Sequence, residues 1–365
     1  MSFITAQSQT WTDSMDIYVR TKYMPPLKNQ WSWQRAALLK AITEQYNNTN
    51  ENDKKLYLNY MIRAVKKVKG AANGRTPNAV ASGLGVAFVA RVTGDATYKS
   101  IAEKVFEQYQ KINRTSNGGV SHLANYKELW DDTIFMVGIF LQEMYLLTND
   151  EKYIDELVFQ IDAHREKLLD PKFGLWYHGW DDDDKGRCNI CGEAGWSKDP
   201  EHRSQEFWGR GNGWVVVTLS QTINVLPKSH PKREKLASYL KEMVVNLPQL
   251  QDTATGHWFQ LPIRTTDPKN YIESSCTAMF AYGISSALKL GIVSSNEYQK
   301  CVDRAYIGLR KHSIQKTNKN FLTTKNVCKG TCIGSKDYYL NRRAKSQKPF
   351  GLGMFILFGR SYEKR

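Results

Sequence analysis

Asp131 and Asp132 stand side by side in Glu128-Leu-Trp-Asp-Asp-Thr-Ile-Phe-Met136, at the start of an apolar helical run. Adjacent carboxylates there are commonly a cap, because the orphan N–H groups and the positive end of the helix dipole both favour an anion. That end lowers an acid's pKa, whereas a general acid needs it raised by apolar walls or a neighbouring charge. Trp130, Phe135 and Met136 could supply such walls. A second segment, Phe207-Trp-Gly-Arg-Gly-Asn-Gly-Trp214, interleaves Trp208 and Trp214 with Arg210 and three glycines. Glycine lets a backbone approach closely, arginine can fork onto a carboxylate and indoles offer flat faces. The bland alternative is a loop packed by two core tryptophans, with Arg210 on a structural carboxylate. The segment contains no phosphate-binding loop.

A third segment, Leu175-Trp-Tyr-His-Gly-Trp180, runs into four aspartates, Asp181 to Asp184. His178 could meet a hydroxyl or carboxylate. The aspartates read as a solvated loop before a calcium site, because the rest of an EF-hand spacing is missing. His122 follows a Gly-Gly turn, where a structural hydrogen bond is the plainer role. Six cysteines include the close pairs Cys188/Cys191 and Cys328/Cys332. Free thiols, disulfides and a four-thiolate zinc site all fit that spacing.

These residues need elements to position them, and the chain repeats itself. Leu84 to Ala90 reads as a helix ending at Thr93-Gly-Asp-Ala-Thr-Tyr98, after which Ile101, Val105 and Tyr109 share a helical face. Ile134, Val137, Leu141 and Tyr145 begin a second pair that turns at Thr148 to Tyr153. Phe280, Ile284 and Leu288, then Cys301, Val302, Ala305 and Leu309, form a third pair. Each set has the spacing of an amphipathic helix, and short polar turns make antiparallel hairpins. Tyr98 and Tyr153 mark a unit of about 55 residues, so the chain holds six or seven hairpins. A closed ring of six, all-α and a single domain over 1–365, is the expected architecture. The alternative is an open helical solenoid. In the ring, the segments around Gly118–His122, Phe173–His178 and Thr255–Trp258 lead back to inner helices and surround one cavity.

A net charge of +15 favours acidic partners. The basic residues are scattered without an arm or block, which argues against nucleic acid. No apolar run approaches the roughly 18 residues of a membrane span. Thr5-Ala6 before Gln7 could be the stub of a trimmed signal peptide, so a periplasmic or secreted location and a cytoplasmic one both stand. Neither an organic cofactor nor a catalytic metal is indicated, and the oligomeric state is open.

In order and spacing, these segments resemble the unsaturated glucuronyl and rhamnogalacturonyl hydrolases, glycoside hydrolase families 88 and 105, the latter above all. The likeness runs from Leu129-Trp130-x-Asp132-Thr133-x-Phe135-Met136 through Trp176–Trp180, Phe207–Trp214 and Asn270–Ser275. It ends in Val327-Cys328-x-Gly330-Thr331, Tyr338-Tyr339 and Gly351-Leu-Gly353. It implies a six-hairpin (α/α)6 barrel acting on the 4,5-unsaturated uronic acid at the non-reducing end of lyase-generated oligosaccharides. By the same resemblance Asp132 is the general acid, protonating C4 and helping water onto C5. Trp130, Met136, His178, Trp208, Arg210, Gly211 and Trp214 fall in the substrate pocket, with His122 beside them. Arg210 or His178 would contact the uronate carboxylate, and the aromatics would stack on the sugar ring. Hydration of a double bond does not require the usual pair of carboxylates flanking a glycosidic bond.

Two departures qualify the likeness. Asn78 falls where many relatives have a second active-site aspartate, and an amide cannot exchange a proton at neutral pH. The stretch Asp181 to Glu206, longer than in other relatives, is expected to rim the pocket. A non-catalytic carbohydrate-binding barrel is the competing reading, and a lyase or ordinary glycosidase on the same barrel is another. The parent polysaccharide, whether rhamnogalacturonan, an ulvan-like glycan or another, stays open.

Overall fold

Apolarity on all sides or on one side sorts the helices into two rings. The computed structural model describes residues 10–23, 31–66, 69–185, 196 and 198–363. In α7 (Asp132–Thr148) every residue from Asp132 to Tyr145 is buried, as an enclosed helix requires. Its hairpin partner α8 (Lys152–Leu168) buries one stripe, including Tyr153, Ile154, Leu157, Val158 and Ile161, and turns its other face to solvent. The same contrast separates α5 (Gly83–Thr93) from α6 (Ala96–Tyr109) and α11 (Ser274–Lys289) from α12 (Asn296–His312). The turns read from the sequence are built as expected. Gly94 takes the left-handed conformation that ends α5, and the Asp95 side chain accepts from the Thr97 and Tyr98 N–H groups to start α6.

Three further inner helices are α2 (Trp33–Asn47), α9 (Gly209–Val225) and α14 (Pro349–Glu363). Each inner helix packs on the next, in the order α2, α5, α7, α9, α11, α14, and α14 returns to α2. The ring is therefore closed, an all-α (α/α)6 barrel. Outside it lie α1 (Trp11–Thr21), α3 (Glu51–Lys66) and α10 (Lys232–Val244), with α6, α8 and α12. The sixth pair joins α1 to α14, which no repeat read along the chain would reveal. Glycines set the inner spacing. A Cβ at Gly283 would stand 1.9 Å from a Val216 methyl, and one at Gly353 2.7 Å from the Ala37 carbonyl oxygen.

Between outer and inner helices the chain makes short ribbons at one end of the ring. β1 (Glu128–Trp130) pairs antiparallel with β4 (Gly179–Asp181), so that Trp130 faces Gly179. β2 (Leu169–Asp170) pairs with β3 (Leu175–Trp176), and β5 (Ile314–Lys316) with β6 (Leu322–Thr324). β7 (Val327–Cys328) pairs with β8 (Ala344–Lys345). Two short helices, α4 (Pro77–Val80) and α13 (Lys336–Leu340), lie among these connections. The glycine- and aromatic-rich segments thus gather at the N-terminal ends of the inner helices. No described helix is long and apolar enough to cross a membrane.

Candidate active site

At that end of the ring lies a cleft of about 170 Å³, lined by Trp33, Asn78, His122, Leu123, Trp130, Asp132 and the 330–332 segment. Asp132 is the one carboxyl on this wall among the described residues. It opens α7, and its Oδ2 accepts from His178 Nε2 at 3.0 Å. The β1–β4 ribbon makes that meeting possible. The Asp131 N–H donates to the His178 carbonyl at 3.1 Å, which holds the two segments edge to edge. Gly179 leaves room for Ile333, whose Cδ1 would lie 2.0 Å from a Cβ at this position.

His178 is fully buried between two partners, with its Nδ1 2.6 Å from the Tyr339 hydroxyl. If Nε2–H donates to Asp132, Nδ1 must accept from Tyr339, which defines a Tyr339–His178–Asp132 relay. Trp208 lies over the imidazole with centroids 4.6 Å apart. Burial lowers the His178 pKa, opposed by the Asp132 contact. Burial pushes the Asp132 carboxyl up, yet the His178 hydrogen bond, the nearby imidazoles and the Arg210 guanidinium prevail, so its net direction is down.

His122 stacks flat on Trp130, with centroids 4.5 Å apart and planes 7° apart. Its Nδ1 meets Thr133 Oγ1 at 2.9 Å and its Nε2 the Asn78 amide nitrogen at 3.3 Å. An amide nitrogen only donates, so Nε2 accepts and His122 is the neutral Nδ1–H tautomer. Burial agrees, lowering its pKa to about 4. Asn78 sits on α4, capped by Thr76. Trp130 is anchored by its indole N–H to Glu128 Oε2 at 2.7 Å. Trp196, from the long stretch expected to rim the pocket, packs against Trp130 and Ile333.

The remaining expected residues stand behind the wall. Arg210 is wholly buried in the first turn of α9, and its two terminal nitrogens donate to the carbonyls of Cys328 at 2.7 Å and Lys329 at 2.9 Å. Its guanidinium lies 4.4 Å from the Trp208 ring and 4.7 Å from Phe350. The buried Glu273 carboxylate lies 3.9 Å away and accepts from the Cys328 N–H at 2.8 Å. Expected to grip a sugar carboxylate, Arg210 here uses both terminal nitrogens to hold the backbone that leads into the 330–332 wall. His178 likewise has both ring nitrogens engaged. Met136 and Trp214 belong to the core, where Trp214 packs on Phe135 at 4.2 Å. Gly211 makes room for Asp131, since a Cβ would lie 2.2 Å from Asp131 Oδ2.

Other expectations change in detail. Asp131 takes the N-cap position of α7 but makes no capping bond. The four aspartates are not one solvated loop: buried Asp181 and exposed Asp184 both pair with Lys198, and Asp182 accepts from the Ser116 N–H at 2.7 Å. Cys328 is a buried free thiol while Cys332 is disulfide-bonded, so this pair forms neither its own bridge nor half of a four-thiolate site. Cys188 and Cys191 lie outside the described residues. Asp131, Asp132 and His178 each bring one donor atom within 4.8 Å of the others, close enough for a cation. His178 Nε2 is already committed to Asp132 and Nδ1 to Tyr339, so the cluster reads as a hydrogen-bonded relay. Sequence reasoning passed over Tyr339, Trp33 and Thr133. Tyr339 and Thr133 had a signal, within the quoted Tyr338-Tyr339 pair and the Leu129–Met136 motif, and Trp33 had none.

A helical barrel with one acid set beneath stacked aromatics defines a class, the carbohydrate-cleaving α/α barrels. Residues 6–365 match the sequence profile of Glycosyl Hydrolase Family 88. The unsaturated rhamnogalacturonyl hydrolase YesR of Bacillus subtilis (strain 168) is 28% identical over 268 residues, covering 71% of this chain and 72% of that protein. A solved family 105 glycoside hydrolase from C. acetobutylicum ATCC 824 superposes with a TM-score of 0.84 at 27% identity, over 98% of this chain and 100% of that one. An unsaturated 3S-rhamnoglycuronyl hydrolase of Alteromonas sp. (strain LOR) is 25% identical over 201 residues, 54% of this chain but only 45% of that protein. The chain belongs to the family 88 and 105 group of glycosyl hydrolases and is a glycosidase.

Proposed function

We propose that this protein releases a 4,5-unsaturated uronic acid from the non-reducing end of lyase-generated acidic oligosaccharides, by hydrating the C4=C5 bond. The observation that carries this reading is the Asp132 carboxyl, the one carboxyl among the described residues of the cleft wall, held by His178 beside the Trp130–His122 stack. Hydrolysis at a saturated glycosidic bond ordinarily takes two carboxylates flanking the bond, whereas an enol ether needs one proton donor on one face. Asp132 gives its proton to C4, and positive charge develops at C5, shared with the ring oxygen. The Asp132 carboxylate then takes a proton from the water that adds to C5. The hemiketal so formed opens and expels the next sugar.

His178 and Tyr339 orient Asp132, and Trp130 offers a flat face to the planar unsaturated ring. Arg210 and His178 are engaged elsewhere, so the uronate carboxylate is met by a neutral donor of the cleft, with Asn78, which has a second amide N–H beyond its contact with His122, the candidate. The relatives named unsaturated rhamnogalacturonyl hydrolase and unsaturated 3S-rhamnoglycuronyl hydrolase support opening a substrate panel with rhamnogalacturonan and rhamnoglycuronan fragments.

The test follows the ultraviolet absorbance of the conjugated double bond on lyase-generated fragments of several acidic glycans. Wild type should bleach at least one fragment, and Asp132→Asn should bleach none while keeping its fold. A near-wild-type rate in Asp132→Asn ends the assignment. Binding without turnover by wild type across the whole panel points instead to a carbohydrate-binding barrel.

A further inference from the structure

Asp131 is a buried carboxyl that the role of Asp132 leaves unexplained. It is fully buried, and among the described residues the group nearest to hydrogen bonding its carboxyl is the neighbouring Asp132, with no other partner for either oxygen. An ionised carboxylate in that state costs several kcal/mol, and the neutral acid avoids most of this. Asp131 Oδ1 lies 3.9 Å from His178 Nε2, and one oxygen each of Asp131 and Asp132 falls within 4.8 Å of the other and of that ring. On the far side the α9 backbone at Gly211 closes the space, so the carboxyl stays against Asp132.

Two carboxyls this close and this dry titrate as a pair, and the second proton leaves only against the charge left by the first. Burial and then the negative charge of Asp132 push Asp131 well above the ordinary carboxyl range, while Asp132 is drawn below it. The groups facing the pair are His178, His122, Arg210 at the start of α9 and Tyr339 on α13. Both directions favour a pair that shares one proton, held nearer Asp131, with the negative charge nearer Asp132.

Resting on the reading of Asp132 as the general acid, we infer that Asp131 is its proton-holding partner, a positioning residue that keeps a proton behind the cleft wall and returns it to Asp132. A uronate entering the cleft brings its negative charge nearest Asp132. The proton then passes from an Asp131 oxygen to an Asp132 oxygen, one O–H bond breaking and one forming, with the charge of the pair unchanged at minus one. When Asp132 protonates C4, both carboxyls are briefly anionic, and their repulsion strengthens Asp132 as the base that takes the water's proton. That uptake restores the single shared proton.

The first measurement uses substrate-free wild type carrying 13C at its aspartate carboxyls. One buried aspartic acid should remain neutral at pH 7 and disappear in Asp131→Asn. Finding every aspartate ionised at pH 7 overturns the inference, without needing a variant that folds or an identified substrate. In kinetics, Asp131→Asn should move the alkaline limb of kcat/KM down by about one pH unit or more, a tenfold loss above the limb, with KM little changed. An unmoved limb also overturns it. Failure of wild type to consume any unsaturated fragment would strike the functional reading alone, since the carboxyl titration stands independently.

Discussion

Replacing Arg210 with alanine separates two jobs its guanidinium could have. The structure gives it a scaffolding job, with two charge-assisted hydrogen bonds to backbone carbonyls, two aromatic faces and a buried carboxylate 3.9 Å away. Each such hydrogen bond contributes about 1.5–3 kcal/mol. Removing one member of a buried ion pair costs about 3–5 kcal/mol, because Glu273 is left charged in a dry site. The terms overlap, so the expected loss is about 3–5 kcal/mol against a typical total stability of about 5–15. Arg210→Ala should lower the urea midpoint sharply, and the same preparation should lose activity because the 330–332 wall loosens. Arg210→Lys should recover little, since a point charge cannot fork onto two carbonyls. The opposing outcome is specific: an unchanged midpoint with a much weaker KM for charged substrate would put the guanidinium in the pocket and refute the scaffolding argument.

Two further expectations follow from the groups around the cleft. Tyr339→Phe removes the hydroxyl from His178 Nδ1, a hydrogen bond contributing about 1–1.5 kcal/mol, so kcat should fall about tenfold with KM held; a change confined to KM would place Tyr339 on the substrate instead. Burial raises Glu128 from 4.5 to about 7. Its folded pKa thus exceeds its unfolded one, so its contribution to stability is complete below about pH 4.5 and is lost as pH rises through about 7. Glu128→Gln keeps an acceptor for Trp130 and should match wild type in denaturant midpoint near pH 4 but exceed it at pH 8. An equal difference at both pH values would show that Glu128 does not titrate in this range.

Much of the barrel was legible along the chain. The apolar spacings of α5 to α8 and of α11 and α12, with their Gly94, Asp95 and Asn149 turns, carry the hairpin repeat in local sequence. Helical periodicity and turn chemistry are short-range properties, so a one-dimensional reading can find them. Asp132 was legible in another way, through the order of motifs along the whole chain, because an Asp-Asp pair before a helix looks like a cap. A closed ring was expected from the number of repeats, but the pair that completes it was not legible, since α1 meets α14 only when the two ends of the described chain come together.

The side-chain roles divide along the same line. Sequence alone determined residue types: an acid beside apolar residues, a histidine after Trp-Tyr, an arginine among glycines. Only the tertiary structure decided which neighbour each one meets. Arg210 turned to the carbonyls of residues 328 and 329, more than a hundred positions away, and His178 reached Tyr339 from a different wall of the barrel. Asp131, adjacent in sequence to the acid and chemically identical to it, became the buried partner because α9 brings Gly211 against it. The physical reason is that a charge or hydrogen bond acts over a few ångströms of space, and which residues share those few ångströms is settled when the ring closes.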